Sequence, residues 1–398
     1  METEPRRHPR SEQPTSPAPP FKRFQPFEPQ RQRDQYHAIP LALLCLALTI
    51  PTTGCTPIDH AIQHLPTDDE LASLRHPATQ DDQRDPSALD AHPSSPRRTA
   101  LPAATSPPFP PDVMAKLEVT MNNGDPADIY YPNLQQAEAK TLRFPIALFL
   151  QGLNVDKAHY SRYAQQVARY GFIVIVPNHR TRIRGRDELF AQVGQVPDTL
   201  DLARNLTADR NSPLFDRIDP SKLVLLGHSH GGMMGLDAVR GACDVPFCLG
   251  EYSLPEELKA AVFFGTSLWE NGEYLSINNT SIPVALIAGD RDSLIAIEET
   301  RQTYAQIISP PRAFIALTGV NHYGLTNVDN PPDSPSEVNP PQVDQTASIN
   351  AIARWSGLFL RAHTWNDPRA RNAIYRFDPK THTADAIGTT INSQLSDP

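Results

Sequence analysis

Glycine is almost missing from the first 111 residues of this 398-residue chain: Gly54 is the only one of 19 there, against 21 of the 41 prolines. A packed fold does not distribute its turn residues in that way. Residues 1–37 and 56–111 are also polar, so they bury too little apolar surface to offset the entropy of ordering, and they read as disordered, proline-rich segments. A surplus of positive charge is missing as well. The 36 Lys and Arg are outnumbered by 45 Asp and Glu, for a formal net charge of −9, and no Lys/Arg cluster falls on an expected helix. Sequence-independent binding of nucleic acid displaces counterions and needs the opposite balance, so nucleic acid is not an expected partner. No internal repeat is visible, and the His228-x-His230 pair lacks the further ligands that a zinc site needs.

An apolar run long enough to cross a bilayer is also lacking. The longest, Ala38–Ile50, holds 13 residues, against the roughly 20 of a spanning helix. Its setting is that of a signal-peptide core: Lys22, Arg23, Arg31 and Arg33 precede it, and Thr52-Thr53-Gly54 lead to Cys55. This stretch resembles a bacterial lipoprotein processing box. The resemblance implies cleavage before Cys55, a lipid on that cysteine, and an exported protein of the bacterial cell envelope, membrane-anchored or released. Cysteine is scarce, with four in the chain. If Cys45 leaves with the signal and Cys55 takes a lipid, Cys243 and Cys248 remain, a close pair that an oxidising compartment can bridge. The expected plan is a signal peptide with a long polar leader over 1–54, a proline-rich tether over 55–111, a folded domain over 112–365 and a loosely attached tail over 366–398.

Within the folded part, short apolar runs alternate with amphipathic ones. Strands are expected at Asp128–Tyr131, Ile146–Leu150, Phe172–Val176, Lys222–Leu226, Ala260–Phe264, Val284–Ala288 and Phe314–Leu317. Helical spacing fills His159–Tyr170, Asp198–Arg210, Gly232–Arg240, Ala296–Ile308 and Asn350–Leu360. Strands that are apolar on both faces, alternating with helices, specify an α/β fold: a mostly parallel, doubly wound sheet covered by helices on both faces. The stretch 330–341 (NPPDSPSEVNPP) reads as an exposed loop.

The strand KLVLL runs into Gly227-His228-Ser229-His230-Gly231-Gly232 and then a helix. That is a G-x-S-x-G nucleophile elbow between a strand and a helix, its required context. A serine hydroxyl is a weak nucleophile without a base, and the base needs an orienting carboxylate. Downstream, VALIA runs into Gly289-Asp290-Arg291-Asp292, and FIALTG into Val320-Asn321-His322. Each lies just after a strand's C-terminal end, where doubly wound sheets place their ligands. His322 is therefore the candidate base and Asp292 or Asp290 the acid, with Asp292 preferred and Asp290 suited to the turn. His228 and His230 flank the serine, with side chains expected to diverge from it. Acyl transfer creates an oxyanion, for which the N–H of His230 and, after IALFL, the N–H of Leu153 are the candidate donors.

These stretches, with FPIALFLQGLNVDKAHYSRYAQQVARYGFIVIVPNH, KLVLLGHSHGG, IPVALIAGDRDSL and GVNHYG, resemble the α/β-hydrolase superfamily. The nearest branch is that of chlorophyllases, dienelactone hydrolases, platelet-activating-factor acetylhydrolases and polyester hydrolases. The resemblance spans residues 144–324. It implies a serine carboxylic ester hydrolase without metal or organic cofactor; a monomer with a small-molecule or lipid ester as substrate is the accompanying expectation. Gln151-Gly152 stands where many relatives have His-Gly, a change that alters the pocket rim and leaves the backbone donors. By position, Trp269 resembles an aromatic that lines the acyl site of polyester hydrolases, and a partly buried structural tryptophan is the other reading. Lipid deacylase, thioesterase and amidase chemistry would use the same triad. A surface lipoprotein whose hydrolase fold only binds is the alternative of a different class.

Overall fold

The structure is a computed structural model that describes residues 105–134, 141–183, 185–243, 252–280, 282–379 and 387–395. All of them lie in the unit Leu89–Pro398. The signal segment, Cys55, most of the tether and Cys248 lie outside the described residues. Among the described residues no helix is long and apolar enough to cross a membrane.

In chain order the elements are β1 (Met114–Thr120), β2 (Pro126–Pro132), β3 (Phe144–Leu150), α1 (Ser161–Ala168), β4 (Ile173–Pro177), the hairpin β5 (Arg180–Ile183) and β6 (Arg186–Leu189), and α2 (Gln195–Ala208). Then come β7 (Ile218–His228), α3 (His230–Val239), β8 (Leu258–Phe264), the short hairpin β9 (Trp269–Glu270) and β10 (Glu273–Tyr274), and β11 (Val284–Gly289). The series closes with α4 (Ile297–Ala305), β12 (Arg312–Leu317), α5 (Gln345–Thr364), α6 (Pro368–Tyr375) and β13 (Thr389–Gln394). Nine strands form one sheet in the order β1-β2-β4-β3-β7-β8-β11-β12-β13. The run from β4 to β12 is parallel, while β1, β2 and β13 pair antiparallel.

The two-faced strands explain the layering. Along β3, Ile146, Leu148 and Leu150 enter one core cluster with Val196, Leu200 and Ala203 of α2 and Met234 and Leu236 of α3. Ala147 and Phe149 face the other way, into a cluster with Tyr163 and Val167 of α1, Ile352, Trp355 and Phe359 of α5, and Ile374 of α6. Side chains alternate across a strand, so an unbroken apolar run is what a sheet covered on both faces requires. The expected fold class is the observed one.

Three boundaries differ from the sequence reading. Phe109, placed in the tether, is buried and stacks edge-on against Phe144 at 5.7 Å between ring centroids. The segment after 366 is no loose tail among its described residues: α6 buries Ala370, Ala373 and Ile374, and β13 extends the sheet along the whole of β12. Its polar alternation (TTINSQ) carries too few apolar residues to announce an edge strand, and β12 supplies the partner. In the stretch 330–341, Pro331 and Glu337 are buried, although most of their neighbours are exposed.

Candidate active site

The connections at the C-terminal ends of β7, β11 and β12 carry the candidate residues. Ser229 sits between β7 and α3 with φ 54° and ψ −123°, a left-handed conformation that a side chain adopts at a cost. The surroundings enforce it. The Ser229 N–H donates to Phe264 O (3.0 Å), and the Ser229 carbonyl accepts from the N–H groups of Gly232 and Met233 and from the Thr266 hydroxyl (2.9 Å). Gly231 is needed for close approach: a Cβ there would lie 2.1 Å from Leu150 O. Ser229 itself remains partly exposed at the surface of the turn.

His322 and Asp292 meet. Asp292 Oδ2 lies 2.8 Å from His322 Nδ1, and both side chains are buried. A carboxylate only accepts, so Nδ1 carries the hydrogen and Nε2 is left as the basic nitrogen. The other Asp292 oxygen accepts from the N–H groups of Leu294 (3.0 Å) and Ile295 (2.8 Å), which fixes the carboxylate plane. Asp290 is exposed and points elsewhere, accepting from Gly319 N–H at 2.7 Å. Gly265, with φ +56°, lies under the pair: a Cβ there would sit 3.0 Å from Asp292 Oδ2 and 3.3 Å from His322 Nδ1. The sequence reading missed Gly265, although its place directly after the strand AAVFF was the available signal.

The two histidines beside Ser229 have separate surroundings. His228 is fully buried. Its Nε2 lies 2.9 Å from the carbonyl of His322 and so donates to it, which leaves Nδ1 to accept from the Tyr160 hydroxyl at 3.0 Å. Tyr160 in turn accepts from Gly152 N–H at 2.9 Å. A continuous chain of hydrogen bonds therefore runs from the turn after β3, through the residue before Ser229, to the backbone of His322. Burial, with the neighbouring His322 adding to it, holds His228 well below its ordinary pKa, so it stays neutral. His230 packs its ring on Phe190 (3.7 Å between centroids) and reaches the Ala191 carbonyl; burial pushes it down to about 4.

The oxyanion candidates belong to this same edge. His230 is the first residue of α3, where N–H groups have no acceptor within the helix and the dipole favours negative charge. Leu153 lies in the turn after β3, and its N–H has no hydrogen-bond partner among the described residues. That turn is braced by Gln151, whose amide pairs with both the N–H and the carbonyl of His179. Trp269 is 55% exposed and, with Met233, Met234, Leu268 and Leu275, lines a cavity of about 340 Å³ between α3 and the β9–β10 hairpin. Among the described residues no cluster of His, Cys, Asp and Glu could hold a metal ion. Cys243, just after α3, packs against the core, while its expected partner Cys248 is outside the described residues.

Sheet order, elbow and the positions of the three connections define the α/β-hydrolase fold. Comparison with known proteins agrees. The family model for chlorophyllases matches residues 119–245. Cutinase est2 of Thermobifida alba is 26% identical over 204 residues, 51% of this chain and 58% of that protein. Cutinase 2 of Thermobifida cellulosilytica is 25% identical over 244 residues (61% and 74%), and cutinase cut1 of Thermobifida fusca 25% over 244 (61% and 61%). The chain thus spans between about three fifths and three quarters of the length of the relatives it matches. Its fold is that of the α/β-hydrolase superfamily, and its sequence is similar to the chlorophyllase family and to cutinases.

Proposed function

We propose that this protein is a serine carboxylic ester hydrolase that works through an acyl-enzyme. The observation that carries the reading is the buried His322–Asp292 hydrogen bond, its members two (Asp292) and three (His322) strands along the sheet from a serine in a strained elbow. Similarity to cutinases supports ester chemistry. Ser229 Oγ attacks the ester carbonyl carbon while its proton passes to His322 Nε2, and Asp292 stabilises the imidazolium. The carbonyl oxygen, now negative, is received by the N–H groups of His230 and Leu153. Collapse expels the alcohol, which takes the proton from His322. Water then repeats the sequence on the acyl-enzyme and releases the acid. The cavity beside Trp269 offers an apolar surface to one part of the ester.

The test is covalent labelling. Wild type should react with a fluorophosphonate and hydrolyse p-nitrophenyl esters, and a series of increasing acyl length reads the pocket. Ser229→Ala should remain folded, fail to label and lose at least about 10³-fold in turnover. Unlabelled wild type would favour the binding-protein reading. The proposal extends to a monomer exported through residues 1–54, lipidated on Cys55 and bridged between Cys243 and Cys248.

A further inference from the structure

The connection 318–344 runs from the end of β12 to α5, and one of its side chains turns inward. Glu337 is 7% exposed, whereas the next residue, Val338, is 76% exposed. Its carboxylate gathers four donors. One oxygen accepts from Ser293 N–H (2.9 Å) and His322 N–H (3.3 Å), the other from the Ser293 hydroxyl and Asn339 N–H (2.6 Å). Ser293 directly follows Asp292. One carboxylate therefore joins the loop that carries the acid to the loop that carries the base.

We propose that Glu337 is a positioning residue that holds Asp292 and His322 in register; this rests on the triad reading above. Before the pair the two connections are tied by Asp290 N–H to Leu317 O (3.1 Å), Asp290 to Gly319 N–H (2.7 Å) and Arg291 N–H to Val320 O (2.9 Å); beyond it, Val338 N–H also donates to the Ser293 hydroxyl oxygen (3.1 Å), directly beside Glu337. Beyond the pair, the link between Ser293 and His322 runs through Glu337. The glutamate is itself fixed, because Asn330 accepts from its N–H (2.7 Å) and donates to its carbonyl (3.2 Å). The loop is pinned on both sides of it. Asn321, beside His322, donates to Asp329 and to the carbonyl of Asn339, both at 3.0 Å, and Gln342 N–H reaches Gly319 O at 2.8 Å.

The chemistry favours an ionised carboxylate at this point. Four donors converge on two oxygens, and a charged acceptor binds such donors more strongly than a neutral one. Burial pushes the Glu337 pKa up, but the hydrogen bonds from Ser293, Asn339 and His322 outweigh it and hold the group below its ordinary value. A glutamine of the same shape would turn an amide N–H₂ toward donors, which forces one of them away. Small errors in the placement of reacting groups are costly, on the order of 10²-fold for about 1 Å.

The experiment compares wild type, Glu337→Gln and Ser293→Ala, the last removing the hydroxyl that donates to Glu337 and accepts from Val338 N–H while keeping the charge. Glu337→Gln should lower kcat for a short p-nitrophenyl ester by about 10- to 100-fold, with KM within about twofold. Ser293→Ala should shift kcat the same way by a smaller factor. A second readout does not depend on turnover: the hydrogen-bonded imidazole proton of His322, observed downfield in proton NMR and assigned by its loss in Asp292→Asn. It should move or broaden in both variants while circular dichroism stays native. An unchanged signal and kcat in both variants would overturn the proposal, as would a kcat that falls only in step with the folded fraction. If wild type proves inactive on every ester, the imidazole signal still decides the role of Glu337, separately from the hydrolase reading.

Discussion

At the scale of single residues, the two aspartates after β11 divide two tasks within three positions. Asp292 is buried against His322, while Asp290 is exposed and closes a turn through Gly319 N–H. Under the proposed mechanism their loss must differ in kind. Asp292→Asn presents an amide that favours the wrong imidazole tautomer, and turnover should fall by as much as about 10⁴-fold. Asp290→Asn keeps an oxygen for Gly319 and should stay within about threefold of wild type, the loss of a charge assist on an exposed turn being small. Steady-state kinetics on one p-nitrophenyl ester ranks them. Equal losses, or the reverse order, would move the orienting role away from Asp292.

Among the elements, α5 and α6 are joined by a buried ion pair that makes the C-terminal segment part of the fold. Arg361 is fully buried; its guanidinium contacts Asp367 Oδ2 at 2.9 and 2.6 Å and donates to the Tyr170 carbonyl at 2.9 Å. Asp367 also caps α6, accepting from the N–H groups of Arg369 and Ala370. Asp367→Ala would remove the carboxylate that contacts a buried guanidinium, a change that costs about 3–5 kcal/mol, with the lost cap adding roughly 1 kcal/mol. Urea denaturation should show the midpoint falling with an unchanged slope. Replacement of the whole pair by apolar residues should be much milder, because the desolvation of both charges disappears with them.

For the whole molecule, three histidines, His228 buried and His230 and His363 partly buried, make stability depend on pH in one direction. Burial lowers all three: His228 well below its ordinary value, His230 to about 4, and His363, with Arg371 nearby, to about 3. A histidine kept neutral in the fold takes up a proton only after unfolding, so the unfolded chain binds more protons below about pH 6.5. Stability is therefore full above that pH and declines as pH falls, by up to roughly 1.4 kcal/mol per unit for each histidine, the His230 contribution levelling off near pH 4. Glu337 and Asp128, both held below the ordinary carboxylate range, steepen the loss at the acid end. Chemical denaturation between pH 7.5 and 4.5 should give a monotonic fall, and a flat profile would contradict three histidines held neutral in the fold. At the same scale, the proposed anchor predicts that Cys55→Ser releases or misprocesses the protein on fractionation. Unreduced peptide mapping of the wild type should recover Cys243 linked to Cys248.

The sequence by itself determined the strand and helix alternation from Asp128 to Leu360 and the turns that hold the candidate residues Ser229, Asp292 and His322. It could do so because two-faced apolar strands and a glycine-flanked serine are local signals, readable within a few residues. Only the tertiary structure decided which partners those turns would find. The choice between Asp290 and Asp292 depends on which carboxylate the neighbouring strand end turns toward His322, and no spacing in the chain encodes that. Gly265, Tyr160 and Glu337 escaped for the same reason: each acts on a residue 27 or more positions away from it in some direction, or across the sheet, and carries no motif of its own. The polar strand β13 was invisible until β12 offered an edge, because its backbone hydrogen bonds, rather than an apolar face, hold it in place.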